Sequence, residues 1–280
     1  MTLASCCGEA GASMAVHQVA SSTPNRSPLA GAKVLITGAS SGIGAATAEA
    51  FAAQGASLIL VARREAKLRE IAERCRDLGA SAVECSQLDV GNVESVDEFF
   101  KVHADKLRGL SHLINNAGLA LERQALQDSS WLDIQQMLDT NLRGLVQVTR
   151  LALPQLIQSS GHVVNIGSVT GIWMYAGGAV YGATKAAVRL FSEGLRLDLM
   201  GHRVRVTNIE PGMVESDFSL VRFKGDAPKA AQVYAGVEAL QPRDIADAIV
   251  WSCNRPAHVN VHEMILMPQA QAGALFFDRK

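Results

Sequence analysis

Three side chains in the middle of this 280-residue chain can together move a proton on and off an alcohol oxygen. Tyr181 and Lys185 stand four apart in a helix-like stretch, so they share one face. A tyrosine hydroxyl ionises at about 10, and an adjacent ammonium draws that value toward neutrality. Tyr181 is then a general acid/base for an alcohol–carbonyl pair. Ser168 follows an apolar run upstream, where its hydroxyl can hold the substrate oxygen. Tyr-x-x-x-Lys alone usually marks an exposed helix; Ser168 and a glycine loop before both give it meaning.

That loop is Thr37-Gly38-Ala39-Ser40-Ser41-Gly42-Ile43-Gly44, between a strand-like run and a helix-like one. Glycines there allow a tight turn and let backbone approach a pyrophosphate, which a helix N-terminus then binds. Gly38, Ser40, Ser41, Gly42, Ile43 and Gly44 thus read as a dinucleotide cradle. The second strand-like run ends in Arg63-Arg64, where an NAD site usually carries Asp or Glu for the ribose hydroxyl. A guanidinium at Arg63 pairs with a 2′-phosphate or stacks on adenine, which favours NADP. Arg64 reads as a second such cation or as the solvated start of a helix. Asp89, with Val90 at the third strand tip, either accepts from the adenine amino group or caps the next helix. Asn116, in Asn115-Asn116-Ala117-Gly118, either lets the cofactor pass close by or belongs to a plain turn.

The elements that must position these residues alternate. Strand-like runs are Lys33–Thr37, Ser57–Ala62, Ala82–Leu88, Leu110–Ile114, His162–Gly167, Val204–Ile209 and Val261–Met267. Helix-like stretches between them include Ile43–Gln54, Glu65–Leu78, Val93–Leu107, Trp131–Ile157 and Val180–Met200. This order predicts an α/β fold: a single Rossmann-type, doubly wound parallel sheet with helices on both faces, over residues 31–280. The stretch from Glu210 to Ala230 reads as a long irregular loop, the kind that serves function. Residues 1–30, rich in Ala, Ser, Gly and Pro, read as a disordered extension with little to bury.

Nearly half the chain is apolar, 48%, and the net charge of −1 comes with no basic stripe, which argues against nucleic acid as partner. No apolar run reaches the ~18 residues of a membrane span. The five cysteines, Cys6, Cys7, Cys75, Cys85 and Cys253, contain no Cys-x-x-Cys pair, so neither a disulfide framework nor a metal site is expected. A reducing, cytoplasmic setting fits them.

The glycine loop, Asn115-Asn116-Ala117-Gly118, Asn141, Ser168, Tyr181-x-x-x-Lys185 and Pro211-Gly212 together resemble the short-chain dehydrogenase/reductases, from about residue 31 to the C-terminus. The resemblance implies a catalytic tetrad of Asn141, Ser168, Tyr181 and Lys185. In it Tyr181 exchanges the proton, Lys185 also holds the nicotinamide ribose, and Asn141 anchors a water. It further implies cofactor contacts at Pro211, Gly212, Val214 and Ser216, and a homo-oligomer, tetramer or dimer. Segments around Glu210–Val214, Phe218–Asp226 and Arg255–Asn260 are similar to the NADP-dependent serine and 3-hydroxy acid dehydrogenases, which implies small 3-hydroxy acids as substrates. Arg222 and Lys224 are then candidates to clamp the carboxylate, or are solvated loop charges; Trp173, Met174 and Tyr175 either wall the pocket or belong to the core. Two other functions fit the same residues: another carbonyl or 3-oxoacyl reductase of the family, and a non-catalytic NADP-binding regulator.

Overall fold

A computed structural model describes residues 27–280. Seven parallel strands form one sheet: β1 (Lys33–Thr37), β2 (Ser57–Ala62), β3 (Ala82–Gln87), β4 (Leu110–Asn115), β5 (His162–Ile166), β6 (Arg205–Pro211) and β7 (Glu263–Leu266), in spatial order 3-2-1-4-5-6-7. Alternation along the strands splits their side chains between two cores. Val34 and Ile36 of β1 and Leu58 and Leu60 of β2 join one, under helices α1 (Gly42–Ala52), α2 (Glu65–Asp77) and α9 (Pro242–Cys253). Leu35, Ile59 and Val61 join the other, under α3 (Val93–Val102), α5 (Leu145–Ser159) and α6 (Ala179–Asp198). Helix α9, unnamed in the sequence reading, starts with Pro242 in its first turn and an Asp244 carboxylate that accepts the Gln241 N–H at 2.8 Å.

Several expectations need correction. The helix expected over Trp131–Ile157 is α4 (Trp131–Leu138) and α5, joined by a π-helical turn over Asp139–Gly144. A side chain on Gly144 would overlap the Val90 carbonyl oxygen, so the helix passes directly against the end of the third strand's loop. The irregular stretch after Glu210 is ordered. Strand β6 runs on to Pro211, and α7 (Phe218–Arg222) and α8 (Ala227–Gln232) follow. Core packing also begins before residue 31, since Leu29 is buried among α1 and β1 side chains. Most of the expected extension, residues 1–26, lies outside the described residues. Cys75 and Cys85 are free thiols. Among the described residues no helix is long and apolar enough to cross a membrane.

Candidate active site

In the strand order, neighbours diverge between β1 and β4, and ligands of open α/β sheets bind at the carboxyl ends of strands at such a point. A cavity of about 300 Å³ opens there. Gly38, Ser40, Ser41, Gly42, Ile43, Arg63, Arg64, Asp89, Val90, Asn116, Pro211, Gly212, Val214 and Ser216 line it, as do Ser168, Tyr181 and Lys185. Of the expected cofactor residues Gly44 alone is not in the wall; it lies beneath, against the Gly38 carbonyl and the Asn116 amide. Gly38 has φ +66°, and a Cβ on it would stand 2.9 Å from the Ala117 Cα, so the loop needs glycine twice over at this position. Asn116 ties the loop to β4, donating from Nδ2 to the carbonyl oxygens of Thr37 at 2.9 Å and Gly38 at 3.2 Å.

The amino end of α1 faces this cavity with no acidic residue in its first turn, which leaves its N–H groups and positive dipole end for an anion. Arg63 opens onto the far end. Arg64 is not a plain solvated helix start. It donates to the Ser40 hydroxyl at 3.3 Å and to Ser41, and its guanidinium pairs with Asp217 at 3.4 Å. Asp89 is not the cap of α3, because Asn92 accepts the Ser95 N–H at 2.7 Å in that role. Asp89 folds back on the Gly91 N–H at 3.0 Å and stays in the cavity wall. This donor set and the glycine cradle fit a dinucleotide bearing a phosphate on its adenosine ribose.

The four residues converge from three places: Asn141 from the π-helical turn, Ser168 from the end of β5, and Tyr181 with Lys185 from α6. Tyr181 and Lys185 lie one turn apart on α6, buried, with the Lys185 ammonium 6.0 Å from the Tyr181 ring centroid. Lys185 Nζ donates to the Ile166 carbonyl at 2.7 Å. Burial pushes the Lys185 ammonium down to about 8, against the attraction of Glu210. Burial also pushes the Tyr181 hydroxyl up to about 12; Arg222, then Ser168, pull it back. A second cation also faces the phenol: the Arg222 guanidinium carbon is 5.5 Å from the Tyr181 ring, beside the Lys185 ammonium that the sequence pointed to. Asn141 sits in the π-helical turn. Its Nδ2 donates to the Leu119 carbonyl at 2.8 Å and Thr184 at 3.1 Å, and its Oδ1 accepts the Leu119 N–H at 2.8 Å. Both amide hydrogens are spent pinning the chain after β4 to α6, so this side chain has no donor left for a water. π-helical turns recur at functional sites, and this one places Asn141 between two elements of the site.

A second cavity, of about 110 Å³, adjoins the first past Ser168 and Tyr181. Arg222 lines it, stacked on Phe218 at 5.1 Å, and its Nε is buried with no hydrogen-bond partner among the described residues. Lys224 does not reach it. Its ammonium turns away to the Asp133 carboxylate at 2.7 Å, so the expected clamp narrows to Arg222. Trp173 and Met174 are exposed, and only Tyr175 of that trio lines the pocket.

Sequence reading missed several contributors. Glu210 is fully buried beneath the site and accepts from the Ser168 N–H and the Asn208 amide; burial raises its carboxyl to about 7. Its position beside Pro211-Gly212 was visible, but nothing in the sequence showed which groups it would meet. Gln271, whose Oε1 accepts the Met213 N–H at 2.8 Å, and the segment through Phe277 close the second cavity from the C-terminus. They carry no motif at all.

A family model described as short chain dehydrogenase matches residues 32–226. The NADP-dependent 3-hydroxy acid dehydrogenase YdfG of Salmonella typhi is 44% identical over 243 residues, 86% of this chain and 96% of that one. Sulfoacetaldehyde reductase 2 of Chromohalobacter salexigens is also 44% identical, over 245 residues, 87% and 96% of the two chains. Among solved structures, the closed form of a serine dehydrogenase complexed with NADP+ superposes with a TM-score of 0.82 at 43% identity, covering 89% of this chain and 99% of that one. The chain belongs to the short-chain dehydrogenase family, and its parallel sheet with helices on both faces is that family's Rossmann-type fold.

Proposed function

We propose that the protein oxidises the 3-hydroxyl of small 3-hydroxy acids, or reduces the matching carbonyl, with NADP as cofactor. Serine, allo-threonine, 3-hydroxyisobutyrate and malonic semialdehyde represent the substrate class. When bound, the nicotinamide accepts or returns the hydride. Every other part falls to the chain. The amino end of α1 and the cradle from Gly38 to Gly44 receive the pyrophosphate, and Arg63 with Arg64 receives the 2′-phosphate. Asp89 and Val90 flank the adenine, while Pro211, Gly212, Val214 and Ser216 line the nicotinamide end. Tyr181 exchanges the hydroxyl proton, Ser168 holds the oxygen, Lys185 supplies positive charge beside the phenol, and Asn141 positions α6 against the chain after β4.

The observation that carries this reading is Arg222. A half-buried guanidinium, its Nε buried and without a partner among the described residues, opens on a small cavity that also holds Ser168 and Tyr181. Leaving such a cation unpaired is costly, and a carboxylate satisfies it. In a 3-hydroxy acid one carbon separates the carbinol from the carboxyl group, so an anion clamped by Arg222 brings the hydroxyl to Tyr181. Exposed apolar side chains on α4 and α6, Trp131, Leu132, Leu190 and Leu197, support assembly into a homo-oligomer. The free thiols support a reducing, cytoplasmic setting. The test is a spectrophotometric panel with NADP+. Serine, allo-threonine, 3-hydroxyisobutyrate and 3-hydroxypropionate are expected to be turned over far better than 1-propanol or 2-propanol. 2-Hydroxyethanesulfonate separates a preference for carboxylate from one for sulfonate. If simple alcohols with NADP+, or bulky ketones with NADPH, outperform every hydroxy acid or its matching semialdehyde, the protein is a general carbonyl reductase instead.

A further inference from the structure

At the edge of the sheet opposite the catalytic residues, the fold gathers three side chains that stand far apart in sequence. His112 of β4 and His162 of β5 are register partners on adjacent parallel strands, so their rings leave the sheet on the same face, with centroids 6.1 Å apart. Cys253, the last residue of α9, covers them. All three are buried, and one ligand atom from each lies within 4.8 Å of the other two. The cluster is roughly 20 Å from Ser168 along β5.

The tautomer of each ring is assigned from the hydrogen bonds around it. With the Ser111 hydroxyl hydrogen directed at the Lys33 carbonyl, 3.1 Å away, Ser111 Oγ accepts from His112 Nδ1 at 2.9 Å. His112 Nδ1 therefore carries the proton, and Nε2 presents a bare lone pair. Thr207 Oγ1 gives its hydrogen to the Val261 carbonyl at 2.6 Å, so toward His162 Nε2 at 2.7 Å it likewise accepts. His162 Nδ1 is then the bare lone pair. Neither His112 Nε2 nor His162 Nδ1 has a hydrogen-bond partner among the described residues. Burial keeps both rings neutral, with Arg205 adding to the effect. Two buried acceptors and a thiol thus share a single S–H hydrogen. Metal-binding histidines have this arrangement: the far nitrogen donates to a fixed oxygen, and the near one is free to ligate.

We infer that His112 Nε2, His162 Nδ1 and Cys253 Sγ form a closed three-coordinate site for a soft, thiophilic cation, copper(I) or zinc, that ties the end of α9 to β4 and β5. Binding exchanges the thiol proton for the metal: the S–H bond breaks, a sulfur–metal bond forms, one proton leaves, and no electron moves. The Arg205 guanidinium donates to the Ser252, Cys253 and Arg255 carbonyls at 3.4, 2.9 and 3.3 Å and so stands beside the thiolate that results. Metal–nitrogen and metal–sulfur bonds of about 2.0 and 2.3 Å require the three atoms to draw in by about 1 Å. Two neutral imidazoles, one thiolate and a monovalent ion sum to no charge. The apolar surroundings, including the Phe51 ring 6.0 Å from His112, favour that over the positive charge zinc would leave beside Arg205.

The test uses the full-length chain, stripped with chelator and re-equilibrated with Zn2+ or with Cu+ under reductant, compared with Cys253→Ala. The variant keeps Cys6, Cys7, Cys75 and Cys85, so uptake by other thiols cancels between the two proteins. The wild type is expected to hold about one more ion per chain than the variant, to release one proton per ion, and to melt several degrees higher with metal than without. NADP-linked turnover should be the same with and without metal. If Cys253→Ala folds poorly when stripped, His112→Phe provides the same comparison. Equal uptake by wild type and variant, or no rise in the wild-type melting temperature with either ion, overturns the site.

Discussion

At the scale of single residues, the site divides into groups that do chemistry and groups that fix where it happens. Tyr181 is the proposed proton-transfer group. Tyr181→Phe keeps the ring that packs against Phe218 at 5.8 Å and removes only the hydroxyl. Its kcat is expected to fall by about 10²-fold or more while the Kd for NADPH, read by fluorescence titration, stays near that of wild type. A fully active Phe variant would remove Tyr181 from the mechanism. Arg63 faces the cavity without a side-chain partner among the described residues, whereas Arg64 is held by Ser40, Ser41 and Asp217. Arg63→Asp offers a ribose-hydroxyl acceptor in place of the proposed phosphate ligand. The ratio of kcat/KM for NADP over NAD is expected to shrink or invert; an unchanged ratio would leave the phosphate to Arg64 alone. Motif residues of this kind were readable from the sequence because each is tied to a strand tip or a helix start. Glu210, Gln271 and the direction of Lys224 were not, since they depend on what the fold brings alongside.

At the scale of elements, periodicity placed every strand to within a residue or two, because buried parallel strands are short apolar runs between turns. Periodicity did not reveal the π-helical turn at Asp139–Gly144, which keeps the apolar pattern of a continuous helix while shifting its register. Gly144 has ordinary helical angles, φ −63° and ψ −44°. By propensity alone Gly144→Ala would stabilise the protein by about 1 kcal/mol. A methyl group there overlaps the Val90 carbonyl, however, and overpacking typically costs about 1–3 kcal/mol. The variant is therefore expected to melt lower than wild type and to bind NADPH more weakly, since Val90 lines the cofactor cavity. A raised melting temperature would mean that the close contact relaxes freely. The short helices α7 and α8 escaped the sequence reading for a different reason: five and six residues are too few for periodicity to register.

At the scale of the whole molecule, the sheet separates two kinds of site. Its carboxyl edge holds the cofactor cavity, the tetrad and Arg222, whereas its amino edge holds the His112–His162–Cys253 cluster. The first was legible because it is built from local motifs. The second arises from strand register and the docking of one helix, which no spacing encodes. The central claim concerns the carboxyl edge, where Arg222 selects a carboxylate for Tyr181 to act on. The measurement that tests it most directly is kcat/KM for 3-hydroxypropionate and for 1-propanol, with NADP+, in wild type and Arg222→Ala. Any effect of Arg222 on the Tyr181 hydroxyl falls on both substrates and cancels in their ratio. The account predicts that the variant loses about 10²-fold or more of its preference for the acid, with the loss appearing mainly in KM. Equal losses for acid and alcohol, or an undiminished preference for the acid, would contradict it.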